Sequence, residues 1–509
     1  MPPAWVIAAL IVMMVVGGAL RAYRLGYQSF WNDEIVSWIS AQGGPWNIVT
    51  QRVENSNIPP LYYLVAGASL PLRHVLSVEA ALRAPSVIAG VLSIPLLFVV
   101  LRRWLSERVA LAAAAVMTIS PFHVWYSQEA RPYALLLLLS LIALYCVQRA
   151  LDEPTRWQWK AATAIATAST FYCHTVGVAF MAFVVVFVVL ETYRSARMRP
   201  WLVTFAVMAL LCLPGVYRLV SFPPTESADS GRSLAPIQFG YALWSFAVGY
   251  SYGPSLDELH RPDRYAVLMH SAATVVPVGV VLLSLTAIGV VTLIRRYPQA
   301  SLPVALWLFF PMAFAAIGAL VTVHPFNVRY TIISFLPALV LIVVGIGALP
   351  GRALPLAAWA GVATVCALSL KGYYADPRYA RDDNRGAAAY LLAHDGPDAV
   401  VVAHRAFTVK DLRFYAPSVA HIMPYPRARR PGEQLTPQAE LDGLAGEHSR
   451  VWLFLSRATD DENAPIIAYF GSHFHQTNRF TSPGVQLLEF SRDSTMPTGA
   501  AASSGSGAH

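Results

Sequence analysis

Eleven apolar runs, each close to the length of a bilayer-spanning helix, constrain this chain more than any other feature. They fall at 5–20, 84–101, 109–120, 132–148, 158–173, 175–192, 201–219, 266–294, 302–323, 329–349 and 353–370. Roughly 20 apolar residues of helix cross the hydrocarbon core, and within it every backbone polar group must find its partner inside the protein. The chain is 56% hydrophobic and only 13% charged, where soluble domains carry about 25% charge. These values describe an α-helical multi-spanning membrane protein with about 11 transmembrane helices. The run 158–192 reads as a helical hairpin whose turn, Tyr172 to Thr175, carries neither Gly nor Pro, so counts of ten and twelve stay open. The first run lacks a basic flank and a small-residue cleavage site, and is kept as a span.

The formal net charge of +8 does not indicate a nucleic-acid partner, because the arginines are scattered between apolar runs instead of forming one face. They fit topology better. With a cytoplasmic N-terminus, twelve Arg and Lys fall in short inner loops, among them Arg102, Arg103, Arg149, Arg295, Arg296 and Arg352. Only Arg131 and Arg329 fall in short outer loops. Arg21 and Arg24, just after the first run, go against this bias. The four cysteines, Cys146, Cys173, Cys212 and Cys366, lie in or beside apolar runs without metal-ligand spacing and read as small core residues.

Three parts follow. Residues 1–370 form a transmembrane domain, in which 21–83 is a first outer segment with interfacial helices and with Tyr62 and Tyr63 at headgroup level. Residues 371–490 change composition: 387–393 read as helix, and 398–403, 451–456 and 486–490 as strands, giving an extracytoplasmic soluble α/β domain. Residues 491–509 are small and polar, a disordered tail. The expected location is a bacterial plasma membrane, multi-pass, with the C-terminal domain outside.

Candidate chemistry gathers on the outer side. Asp33 and Glu34 stand beside Trp31 and Trp38 where the chain leaves the first run. An apolar surround there can raise a carboxylate towards a working base, although a solvated pair after a helix is the plainer alternative. The outer loop 120–131 reads Pro121-Phe-His-Val-Trp-Tyr126-Ser-Gln128-Glu129-Ala-Arg131, followed by Pro132 and Tyr133. Arginine's planar fork suits phosphate oxygens; the alternative is a snorkelling arginine paired with Glu129. His324-Pro-Phe-Asn-Val-Arg329-Tyr330 places a second arginine at an outer helix end, where an interfacial anchor is again the alternative. His174, in Phe-Tyr-Cys-His-Thr, is a further candidate for substrate contact, as are Trp31, Tyr126, Gln128, Glu129, Tyr133 and His324.

Together, Trp31-Asn-Asp33-Glu34, Pro59-Pro-Leu-Tyr-Tyr-Leu64, Tyr126-Ser-Gln-Glu-Ala-Arg-Pro-Tyr133, His174 and Arg329-Tyr330 resemble the GT-C glycosyltransferases. The nearest branch is that of bacterial relatives of the protein O-mannosyltransferases and aminoarabinose transferases. The resemblance covers about residues 5–350 and departs at Asn57, where relatives often carry histidine. It implies an inverting transferase that moves a sugar from a polyprenyl-phosphate-linked donor to an acceptor hydroxyl on the extracytoplasmic face, with a lipid, glycan or protein as acceptor. Under it, Asp33 is the general base, Glu34 orients Asp33 or the acceptor, and Arg131, Arg329 and Tyr330 hold the donor phosphate. No cofactor and no metal is expected, and the chain has no glycine-rich nucleotide loop.

The alternative from another class is a transporter or lipid-linked-glycan flippase. Such proteins place charges near mid-membrane, often in repeated halves. Here the charges collect at the outer edges and no repeat is evident. Oligosaccharide transfer to asparagine is a closer competitor, but the chain contains no Trp-Trp pair.

Overall fold

The computed structural model describes residues 2–50, 59–193, 198–221, 234–260, 263–322, 325–394, 399–427, 437–456 and 460–492. The chain divides into two compact units. One holds Met1–Gln28 and Val36–Tyr379; the other holds Ser29–Ile35 and the residues from Ala380 onward. Of the expected tail at 491–509, Ser491 ends the last strand and residues 493–509 lie outside the described residues, as do Asn57 and His324.

In the first unit each expected apolar run falls on helix among the described residues, with 266–294 divided at Ser271 between Arg264–His270 and Ala272–Arg296. Eight helices among the described residues are long and apolar enough to cross a membrane: Ala4–Ala22, Val78–Leu101, Tyr133–Asp152, Met198–Ser221, Ala272–Arg296, Pro298–Val321, Val328–Gly347 and Ala353–Ala375. Glu107–Ile119 and Pro121–Ser127, bent by 58° at their junction, make a ninth if they count as one span. Trp157–Cys173 and Gly177–Thr192 are shorter, at 17 and 16 residues. Val328–Gly347 is the central element, with 83% of its apolar window buried, against 11% for Ala272–Arg296. The outer helices present Val15, Leu210, Leu283 and Leu356 outward, an apolar surface that only lipid can cover.

One local expectation is corrected. The segment 120–131 is not simply a loop, since it contains the helix Pro121–Ser127. Pro121 can offer no N–H to the preceding turn, so the helix ending at Ile119 stops, and Ser120 restarts it by accepting the His123 backbone N–H at 3.3 Å. Tyr62 and Tyr63 are both fully buried within the protein. The Tyr62 hydroxyl lies 3.2 Å from Ser86 Oγ, and that internal partner offsets the cost of burying it.

The bend at Ser120 also explains the charge that goes against the topology count. Arg21 is fully buried, and its guanidinium donates to the carbonyls of Met117 and Thr118 at 3.1 and 3.0 Å and to His123 Nδ1 at 2.6 Å. These carbonyls are the ones a helix end leaves without partners. Arg21 therefore works as an internal cap, outside the loop charges that set orientation.

The second unit is a five-stranded sheet in the order β2-β1-β3-β5-β4, with β1 Ala399–His404, β2 Ile422–Tyr425, β3 Arg450–Ser456, β4 His475–Ser482 and β5 Val485–Ser491. β1 pairs in parallel with β2 and β3, while β5 runs antiparallel to β3 and β4. Val401, Ala403, Trp452 and Phe454 pack under Asn384–His394 and Val409–Tyr415. Val400, Val402, Leu453 and Leu455 pack under Pro437–Glu447 and Asp460–His473. Cover on both faces is why β1 reads as an unbroken apolar run. The three expected strands are β1, β3 and β5. The sequence pattern does not mark β2, of only four residues, or the polar edge strand β4.

Candidate functional site

In the membrane unit the sequence candidates converge. Arg131 lies between the helix Pro121–Ser127 and the 20-residue helix Tyr133–Asp152, whose amino end is a natural seat for an anion. Its side chain is 5% exposed and donates to Ser37 Oγ at 3.5 Å. Its carbonyl accepts from Ser86 Oγ at 3.4 Å, so the Pro59-Pro-Leu-Tyr motif braces it through Tyr62 and Ser86.

A line of rings follows. The hydroxyls of Tyr126 and Tyr250 are 2.9 Å apart; the rings of Tyr126 and Tyr133 lie 5.1 Å apart, those of Tyr133 and His174 5.5 Å, and those of His174 and Tyr330 6.1 Å. The Arg329 guanidinium sits 5.4 Å over the Tyr330 ring. Arg329 is placed by Asn327, whose side-chain oxygen accepts its backbone N–H at 3.1 Å.

His174 reports the field of this cluster. It ends the helix Trp157–Cys173, is 6% exposed, and its Nδ1 accepts the Val176 backbone N–H at 3.1 Å. Burial, then the charges of Arg131 and of Arg329, push its pKa down from 6.5 to about 3. Two guanidinium groups from distant parts of the sequence thus act on one neutral imidazole. Burial likewise holds the Tyr250 hydroxyl well above its usual range, with Glu129 adding to the rise and Arg329 opposing it. Glu129 accepts from Trp125 Nε1 at 3.0 Å. Gln128 serves the scaffold instead. Its amide donates to the carbonyls of Arg21 and Tyr23 at 2.9 and 2.8 Å, tying this segment to the end of the first helix.

The acidic stretch belongs to the second unit. Asp33 and Glu34 occupy the first turn of the helix Asn32–Ala41, where the helix dipole favours negative charge. Glu34 is fully buried and accepts from Arg381 Nη1 at 3.1 Å; Asp33 and Trp31 are half-buried. Removing one member of such a buried pair costs roughly 3–5 kcal/mol.

Tyr250 and Arg381 contact the sequence candidates but are not singled out by the sequence. Tyr250 follows Gly249, whose φ of +83° turns the chain out of the helix Pro236–Val248. The only signal there is an aromatic residue after a glycine. Nothing in the spacing links Arg381 to Glu34, 347 residues earlier. Among the described residues no group of three or more His, Cys, Asp or Glu is placed to hold a metal.

Residues 57–217 match the family described as Dolichyl-phosphate-mannose-protein mannosyltransferase. ArnT from Cupriavidus metallidurans in its apo state superposes with a TM-score of 0.56 at 14% identity, over 95% of this chain and 97% of that one. The same protein bound to undecaprenyl phosphate gives 0.55 at 14% identity, over 95% and 98%. The archaeal oligosaccharyltransferase AglB from Archaeoglobus fulgidus, in complex with an inhibitory peptide and a dolichol-phosphate, gives 0.56 at 13% identity, over 96% and 74%. No curated protein sequence matches the chain.

Proposed function

We propose that this chain, which has the fold of the GT-C membrane glycosyltransferases, moves a sugar from a polyprenyl-phosphate-linked donor to an acceptor hydroxyl at the extracytoplasmic membrane surface, with inversion. The observation that carries this reading is the line of rings from Tyr126 through Tyr133 and His174 to Tyr330, with Arg131 at the amino end of a long helix beside Tyr133 and Arg329 over Tyr330. Two positive charges beside a buried neutral imidazole make a seat for an anion held against apolar surroundings. The two similar proteins captured with undecaprenyl phosphate and dolichol-phosphate support a lipid phosphate as that anion. A transporter has no comparable support, since the charged groups named here sit at helix ends.

In this mechanism the acceptor hydroxyl attacks the anomeric carbon from the face opposite the phosphate. Its proton passes to the Asp33 carboxylate as the new carbon–oxygen bond forms and the bond to the phosphate oxygen breaks. Polyprenyl phosphate leaves, and Arg131 and Arg329 stabilise the charge that grows on it. Tyr126, Tyr133, Tyr250 and Tyr330 offer ring faces and hydroxyls to the sugar. Support for Asp33 as the base comes from the resemblance carried by Trp31-Asn-Asp33-Glu34, whose acidic pair the fold sets in the first turn of a helix. Glu34, locked to Arg381, serves the base indirectly. The arginine distribution supports a cytoplasmic N-terminus and an outer location for the site. The acceptor hydroxyl belongs to a lipid, a glycan or a protein.

The reading is tested by Asp33→Asn in the purified full-length protein, fused into vesicles from a strain lacking it, whose accumulated donor and acceptor serve as substrates. Release of polyprenyl phosphate, followed by mass spectrometry, should fall by about 1000-fold while the protein stays inserted. Near-normal release removes Asp33 from the role of base.

A further inference from the structure

We infer that Arg381 and Asp411 are positioning residues for Asp33: the C-terminal unit grips the turn on either side of this carboxylate and sets its direction. The inference rests on the transferase reading and names what controls its proposed base.

The strip Ser29–Ile35 groups with the residues from Ala380 onward, and the bonds that hold it are specific. Ser29 Oγ donates to the Asp382 carbonyl at 2.6 Å, and the Phe30 backbone N–H donates to the Tyr415 hydroxyl at 2.6 Å. Asn384 Nδ2 donates to the Phe30 carbonyl at 3.1 Å, and the Phe30 ring lies 5.5 Å from that of Phe414. Asn32 Nδ2 is shared between the Phe407 carbonyl and Asp411 Oδ1, each at 3.1 Å. Glu34 is bound to Arg381. The strip therefore has partners in the segments on both sides of β1, at 381–384 and at 407–415.

Helix geometry turns this grip into a direction. Successive residues project about 100° apart, so Asn32, Asp33 and Glu34 point three ways. Asn32 is 8% and Glu34 0% exposed, and both face inward to partners of the C-terminal unit; Asp33 between them is half-buried. With its neighbours on either side fixed by an ion pair and an amide–carboxylate bond, the backbone that carries Asp33 is held on both sides. A misplacement of about 1 Å in a reacting group can cost on the order of 100-fold in rate, so losing either anchor should appear in catalysis. Neither Arg381 nor Asp411 has a place in the chemistry, and each acts through the residue it holds.

The test uses the full-length protein and donor–acceptor vesicles from the deletion strain, with release rates measured across a dilution series of donor lipid. Arg381→Ala should lower kcat by about 10-fold to 100-fold and leave the apparent KM for donor within about twofold, because the phosphate seat is untouched. Arg381→Lys, which keeps a charge facing Glu34, should recover most of the rate. The pair Glu34→Gln with Arg381→Gln, which removes both buried charges, should be inserted normally and be faster than Arg381→Ala. Asp411→Asn should lower kcat in the same sense. Wild-type kcat in Arg381→Ala, or a Lys variant as slow as Ala with no gain from the double variant, overturns the inference. An active Asp33→Asn overturns the transferase base instead, so the two failures are distinct.

Discussion

At the scale of single residues, the side chains that matter most are those whose charge state is fixed by neighbours. His174 is held neutral by burial and by two guanidinium groups, with its pKa lowered from 6.5 to about 3. A histidine with a depressed folded-state pKa binds fewer protons in the native than in the unfolded state, so its contribution to stability is complete above pH 6.5 and is lost as the pH falls towards 3. Between neutrality and pH 5 the loss should be about 2 kcal/mol. Thermal unfolding in detergent at pH 7 and pH 5 should accordingly show a smaller acid shift for His174→Phe than for the parent. At Arg131 the shape of the cation decides. Arg131→Lys keeps the charge but loses the fork that meets two phosphate oxygens, and should raise the donor KM by about 10-fold; an unchanged KM would leave Arg131 as a helix-end anchor. Both residues were legible in the sequence as types in the right motifs. Their convergence is implied only by the family resemblance, because no local spacing links residues 131, 174 and 329.

Among elements, the membrane helices announced themselves by length and hydropathy, and the exceptions are where polar chemistry replaces apolar packing. The break at Ser120 and Pro121 hides inside an apolar run, and the internal cap that stabilises it comes from Arg21, nearly 100 residues earlier. Strand β4 was missed because its outward residues are polar and exposed, which leaves no apolar alternation to read. The helices Ala272–Arg296 and Phe335–Gly347 approach each other closely at two glycines. A Cβ on Gly289 would meet the Leu341 carbonyl oxygen at 1.9 Å, and one on Gly345 would meet that of Leu285 at 1.9 Å. This reciprocal crossing brings the two backbones together through small residues, the usual means of helix association in lipid. Gly289→Val must therefore push the helices apart, and should lower the thermal midpoint by several degrees. Gly361, with open space around it, is the control: Gly361→Val should leave the midpoint nearly unchanged.

For the molecule as a whole, composition points to a membrane part up to 370 and an α/β part after it; in the fold the first unit runs on to Tyr379, and the short strip from Ser29 to Ile35 groups with the second. No local pattern in those seven residues marks them as its members, since their affiliation is made by partners far along the chain. It gives the strip an unusual schedule. The acidic turn is among the first segments to leave the ribosome, yet the groups that hold it lie 347 to 385 residues downstream. A partly synthesised chain can insert its helices and fill its lipid-facing surface while its proposed base still lacks a fixed aim. On the proposed function, translation must run nearly to completion before the base is aimed, so products clipped before residue 381 should release polyprenyl phosphate at least about 10-fold more slowly than the full chain.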